Sequence, residues 1–185
     1  MGNIKNGKFV YKNEDSMKKM HEFYDKTLAS LDVPYSEDYF DTSFGKTHCL
    51  LVGDPEKPRI CTIHGGNGIT TLNLKLFLPL LQEYCIIAPD VIGMPGKSDP
   101  YRNISSKKDE YGLWIKEVLD HYKEDRISFV VSSYSSAMFL SFGSIPLPTR
   151  MGYISGRIRK WLDTISVSVL LRSAKHMKIC WNYTI

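Results

Sequence analysis

The spacing of apolar positions divides the chain into alternating helix-like and strand-like segments. Between Ser16 and Leu31, the residues Met17, Met20, Phe23, Tyr24, Leu28 and Leu31 recur every three or four positions, which predicts a helix with one apolar face. Ser16 or Asp15 is placed to cap it. After Pro34, the stretch from Tyr39 to Val52 holds two extended runs around Gly45 and predicts a hairpin, followed by a turn over residues 54–58. Arg59 to Ile63 is a short apolar strand that stops at His64-Gly65-Gly66-Asn67-Gly68, a loop whose glycines admit backbone conformations closed to β-branched residues. A helix from about Asn73 to Leu81 follows, then a buried strand from Cys85 to Pro89 that ends at Asp90. The glycines and prolines between Gly93 and Pro100 predict a surface loop. Lys107 to Tyr122 carries Tyr111, Trp114, Ile115, Val118, Leu119 and Tyr122 at helical spacing, Ile127 to Val131 is a strand leading into Ser132 and Ser133, and Ala137 to Gly143 reads as helix.

Strands separated by helices predict an α/β fold with a mostly parallel sheet and helices on both faces, because right-handed crossovers lay each helix against the sheet. With 185 residues and 43% hydrophobic content, the chain has enough apolar surface for one domain without disulfides or metals. Cys49, Cys61, Cys85 and Cys180 are dispersed, with neither a CxxC spacing nor a Cys/His cluster, so they read as buried, reduced thiols and not as zinc ligands. No run near the N-terminus has signal-peptide length and no stretch approaches the ~20 apolar residues of a membrane span, which predicts a cytoplasmic protein with no membrane partner. The net charge of +4 hides an asymmetry: residues 146–185 carry +6 and the first 145 carry −2. A basic tail interspersed with Ile, Val, Leu and Trp is not a solvated nucleic-acid-binding arm. It marks a change of sequence character, and the chain divides into residues 1–143 and a non-matching tail, 144–185.

Ester chemistry needs a nucleophile on a tight strand-to-helix turn, backbone donors for the oxyanion, and a histidine oriented by a carboxylate. The first requirement points to the serine-rich turn after Val131, which compares with the pattern G-x-S-x-G. Counting without gaps along the preceding strand makes Ser133 the nucleophile, with Val131 standing where glycine is usual. A shift of two makes Ser135 the nucleophile, flanked by Ser133 and Ala137, but lengthens the strand by two residues. Ser133 is preferred and Ser135 remains the second choice; a serine turn that merely caps a helix is the bland alternative. The loop His64-Gly65-Gly66 directly after a strand fits the second requirement. Gly93 to Ser98 is not a phosphate loop, since two residues separate its glycines where four are required. No metal or cofactor is expected.

Residues 39–143 resemble an α/β-hydrolase, in the manner of bacterial carboxylesterase-like members. The residues that carry the resemblance are Phe44-Gly45-Lys46-Thr47-His48 in the front hairpin, His64-Gly65-Gly66, the stretch from Asp90 to Ser98, and the turn at Ser133. The resemblance implies that Ser133 is acylated by a small ester or related acyl substrate. It implies an oxyanion hole built from Gly66 or Asn67 with the amide of Tyr134, and structural roles for His64 and Asp90.

In that family the acid and the histidine follow the serine on later strands. After Gly143 no apolar strand ends in an aspartate and no final histidine loop appears. Asp163 and His176 occur in the right order, but only 43 positions separate Ser133 from His176, too few for strand–helix units of ~30 residues each. The expectation is therefore an incomplete α/β-hydrolase sheet, truncated after the helix that follows the serine turn, with a tail of the kind a shifted reading frame produces. Turnover by this chain is expected to be impaired or absent. The alternatives are a non-catalytic protein that holds a small acyl ligand on the same scaffold, and an interaction module that docks through its basic tail.

Overall fold

The computed structural model describes residues 7–143 apart from 67, 107, 125, 126, 132 and 133. Asn67, Ser133 and the whole tail, including Asp163, His176 and Cys180, lie outside the described residues. The elements run β1 (Lys8–Phe9), α1 (Glu14–Ala29), β2 (Tyr35–Thr42), β3 (Gly45–Val52), β4 (Arg59–Ile63), α2 (Thr70–Phe77), β5 (Cys85–Pro89), β6 (Tyr101–Arg102), α3 (Glu110–His121), β7 (Ser128–Val131) and α4 (Tyr134–Gly143). A 3₁₀ turn, Leu78–Gln82, continues α2, with Pro79 in its first turn.

A five-stranded sheet in the order β2-β3-β5-β4-β7 forms the centre. β4 pairs in parallel with both β5 and β7, while β2, β3 and β5 pair antiparallel. The sheet is therefore mixed, a parallel trio extended on one side by the front hairpin. That hairpin turns at Ser43 and Phe44, with Thr42 facing Gly45.

Successive strand residues point to opposite faces, and the two faces bury two separate cores. Leu50, Val52, Ile60, Ile86, Ala88 and Val130 meet Tyr24 and Leu28 of α1 and Leu74 and Phe77 of α2. Cys49, Cys61, Ile63, Ile87 and Phe129 meet Trp114, Ile115 and Val118 of α3 and Met138 of α4. The expected α/β class with helices on both faces is thus what the chain adopts. Cys49, Cys61 and Cys85 are free and buried, as expected.

The helices begin earlier or later than periodicity alone predicts. α1 starts at Glu14 because Asn13, in extended conformation, accepts a hydrogen bond from the Ser16 amide through its side chain. Asn13 is the cap, in place of Ser16 or Asp15. The predicted surface loop from Gly93 to Pro100 is a correction: Gly93, Met94, Gly96 and Ser98 are buried. The N-terminal residues cover it. β1 pairs antiparallel with β6, the Val10 amide donates to the Pro100 carbonyl at 3.0 Å, and the Tyr11 hydroxyl lies 3.0 Å from both the amide nitrogen and the carbonyl oxygen of Gly96. Among the described residues no helix is long and apolar enough to cross a membrane.

Candidate active site

β4 and β7 run in parallel with Ile63 opposite Val131, so both strands end level and the segments that follow leave the sheet at the same edge. The segment after β4 is the glycine loop, and beyond β7 the helix α4 begins at Tyr134. They meet. A Cβ added to Gly66 would stand 3.3 Å from the Tyr134 Cβ and 3.6 Å from its Cγ. Tyr134 is the first residue of α4, so its amide belongs to the unpaired N–H groups of a helix N-terminus. Only residues 132 and 133 separate β7 from α4 in sequence.

Of the expected site residues, Gly66 and Tyr134 are therefore brought together. Ser133 and Asn67 lie outside the described residues. Ser135, the second-choice nucleophile, sits in the first turn of α4 and is completely buried. The bulk beside Tyr134 comes from a residue with no assigned role in the sequence pattern: the Tyr111 ring lies 6.3 Å away, edge to face. Burial, then the charge of a Tyr134 phenolate, pushes the Tyr111 hydroxyl up to about 12.

The structural role expected for His64 is visible atom by atom. Its Nδ1 lies 3.0 Å from the Gly65 carbonyl and so donates, while its Nε2 accepts the Val91 amide at 3.1 Å. Both nitrogens are committed. Burial lowers its pKa, against the smaller opposing pull of Asp90, and favours the neutral ring that this pattern requires.

Asp90 is fully buried behind this loop. Its Oδ2 accepts from His48 Nδ1 and from the Lys97 amide, each at 2.8 Å, and its Oδ1 accepts from the Tyr24 hydroxyl at 3.2 Å. Burial pushes its carboxyl up, but the hydrogen bonds from His48 and Lys97 and the nearby imidazoles outweigh burial and hold it below the usual carboxylate range. His48 also reaches Glu37 at 2.9 Å, and Lys97 bridges Glu37 and Asp25. The sequence pattern picks out His48 and Asp90 separately; their pairing joins residues 42 positions apart.

The other described histidines are also engaged. His21 Nε2 lies 3.0 Å from the Gly96 carbonyl, and His121 pairs with Asp38 at 2.8 Å while stacking on Phe40. The His121–Asp38 pair has the makeup of a base and its acid, but His121 is the last residue of α3. Tyr111, which meets Tyr134, lies ten residues away at the other end, about 15 Å along the helix at 1.5 Å per residue. Among the described residues no group of three or more His, Cys, Asp or Glu side chains is arranged to hold a metal ion.

No family model matches the chain. Over 102 residues, 55% of its length, the sequence is 26% identical to carboxylesterase YbfK of Bacillus subtilis (strain 168), and the match spans 34% of that protein. The crystal structure of carboxylesterase CesB (YbfK) from Bacillus subtilis superimposes with a TM-score of 0.65 at 22% identity, covering 74% of this chain and 47% of that one. Naproxen esterase (carboxylesterase NP), also from Bacillus subtilis, gives a TM-score of 0.63 at 20% identity, with 76% and 48% covered. A thioesterase domain from the curacin biosynthetic pathway gives 0.54 at 20% identity. The chain spans about half the length, or less, of the relatives it matches.

Proposed function

Starting from the α/β-hydrolase fold of the described residues and their carboxylesterase-like relationship over the N-terminal portion, we propose that the chain carries the nucleophile and oxyanion side of a serine esterase site. Ser133 is the nucleophile, with Ser135 as the alternative register. The amides of Gly66 or Asn67 and of Tyr134 receive the charge that develops on the acyl oxygen, and the substrate is a small acyl ester. No cofactor takes part. The observation that carries this reading is the meeting of Gly66 with Tyr134, where β4 and β7 end level. An oxyanion hole needs donors from two separate segments within about 3 Å of one oxygen, and this is the arrangement that brings two such segments together.

Turnover by this chain is at or near background. A serine hydroxyl is a weak nucleophile at neutral pH without a base, and each of the four described histidines is committed elsewhere. That commitment also supports a second reading, in which the same groups hold a small acyl ligand without hydrolysing it.

A serine-directed fluorophosphonate probe with mass-spectrometric mapping tests the proposal. Slow labelling at Ser133, lost in Ser133→Ala and weakened in Gly66→Ala, is the expected result. Labelling at Ser135 with Ser133 untouched reverses the register. Labelling confined to serines remote from the turn overturns the reading, and no labelling at all favours the reading in which the site holds its ligand without hydrolysing it.

A further inference from the structure

The buried polar groups around Asp90 take no part in the chemistry proposed for the serine turn, yet hydrogen bonds connect them to the glycine loop. His48, on β3, is completely buried, with Nδ1 2.8 Å from Asp90 Oδ2 and Nε2 2.9 Å from Glu37 Oε2. Each ring nitrogen thus faces a carboxyl group, and Nδ1 donates to Asp90. Tyr24 and Tyr39 cover the ring, with centroids 5.8 and 4.6 Å away. The backbone repeats the attachment. The Asp90 amide donates to the His48 carbonyl at 2.9 Å, the His48 amide donates to Ser98 Oγ at 2.8 Å, and that hydroxyl donates to the Asp90 carbonyl at 2.7 Å. Asp90 is thereby held at its amide, its carbonyl and both carboxylate oxygens.

The next residue passes this order on. Val91 donates its amide to His64 Nε2, and His64 Nδ1 donates to the Gly65 carbonyl, the peptide that leads into Gly66. One covalent step and two hydrogen bonds connect the buried pair to the glycine loop. A fully buried hydrogen-bonded pair is costly to break by removing one partner, because the other is left without one, so it forms a rigid base for a loop that lacks side chains of its own at Gly65 and Gly66.

We infer that the buried His48–Asp90 pair is a positioning device for the oxyanion loop: by fixing the Asp90–Val91 peptide it holds His64 in the Nδ1–H tautomer and pins the Gly65 carbonyl. His48 and Asp90 are positioning residues in this account, since they act on Gly66 through His64. The inference takes its purpose from the esterase-like reading, but the device itself is measured without turnover.

Two substitutions separate the arms of the His48 ring. Asn at position 48 carries an amide nitrogen near the place of Nδ1 and keeps the donor to Asp90; Gln reaches toward Glu37 and loses it. Amide hydrogen exchange and side-chain ¹⁵N shifts of His64 are read in the whole chain for His48→Asn and His48→Gln, with the β4 and β5 amides as an internal reference. The expected result is His64 as Nδ1–H in the unmodified protein and in His48→Asn. In His48→Gln the tautomers mix, and exchange at Val91, bonded to His64, and at Gly68, bonded to the Gly65 carbonyl, is faster by about tenfold relative to the reference amides. If His48→Gln does not fold, Tyr24→Phe, which removes the hydroxyl from Asp90 Oδ1, is read in the same way and raises exchange at Val91 and Gly68 by about threefold. Unchanged His64 shifts and unchanged exchange at Val91 and Gly68 in the variant that folds overturn the inference. The fluorophosphonate experiment reads the serine turn independently, so failure of the esterase reading leaves this result standing or falling by itself.

Discussion

Gly66 and Tyr134 touch so closely that a single methyl group tests their arrangement. In Gly66→Ala the added Cβ stands 3.3 Å from the Tyr134 Cβ, so either the loop or the first turn of α4 must give by a few tenths of an ångström. A site built from both segments tolerates that poorly, because misplacement by ~0.5 Å already degrades a preorganised constellation. The expected outcome is a change in thermal stability below about 1 kcal/mol, within the ordinary range for point substitutions, together with weakened serine labelling. Gly96 is under tighter constraint. Its φ of +155° is rarely adopted by other residues, and a Cβ there would lie 2.7 Å from Asp90 Cγ. Gly96→Ala is expected to cost about 2–4 kcal/mol in denaturant unfolding, combining backbone strain with displacement of a buried carboxylate. The same group has a pH signature. The Asp90 carboxyl is held below its ordinary value in the fold, so its contribution to stability is present above the unfolded value near pH 4 and is lost as pH falls through the folded one. His64 acts in a different window. Its lowered pKa means the unfolded chain takes up that proton first, so stability declines as pH drops below about 6.5. Urea midpoints from pH 7 to pH 3 are expected to show two declines, the upper one absent in His64→Asn and the lower one reduced but not abolished in Asp90→Asn, because Glu37 and Asp38 are also held below the ordinary carboxylate range.

At the scale of elements, α1 and α3 are tied down by different means. α1 depends on its cap as well as its apolar face, and Asn13→Ala is expected to cost about 1 kcal/mol of unfolding free energy, since the cap satisfies an otherwise unpaired amide. α3 is anchored by Trp114, fully buried, whose indole N–H donates to Thr47 Oγ1 on β3 at 2.9 Å. Trp114→Ala is expected to cost about 3–5 kcal/mol, through the cavity it leaves and the orphaned hydroxyl. These two helices were legible in the sequence because their apolar faces repeat every three or four residues over 12 to 16 positions. The loop from Gly93 to Pro100 was not. Its glycines and prolines indicate a turn, and its burial comes from Tyr11 and β1, some 85 residues earlier, a contact that no local pattern encodes. The His48–Asp90 pair escaped for the same reason: each residue is legible in its own segment, but their contact requires the register of β3 on β5. Gly66 was legible because glycines directly after a strand have a conformational meaning of their own.

At the scale of the molecule, the mixed sheet presents two buried faces and an edge where β4 and β7 end together, the edge to which the proposed site is assigned. The α/β class followed from alternating strands and helices. The antiparallel front hairpin was visible as two runs around Gly45, and its place beside β5 came only from the fold. The carboxylesterase-like relationship supplies the chemistry that this edge suits, and the commitment of His21, His48, His64 and His121 supplies the reason for expecting little turnover. We therefore propose a nucleophile and oxyanion side that finds no free histidine base among the described residues. Hydrolysis of a short p-nitrophenyl ester by the purified chain, compared with Ser133→Ala, His64→Ala and His176→Ala, tests it most directly. The account predicts rates at or near the uncatalysed background for all four proteins, with any residue of activity no more than the roughly 10³-fold that an oxyanion hole alone provides. Rapid hydrolysis by the unmodified chain that disappears in both Ser133→Ala and His176→Ala, but survives His64→Ala, would contradict it.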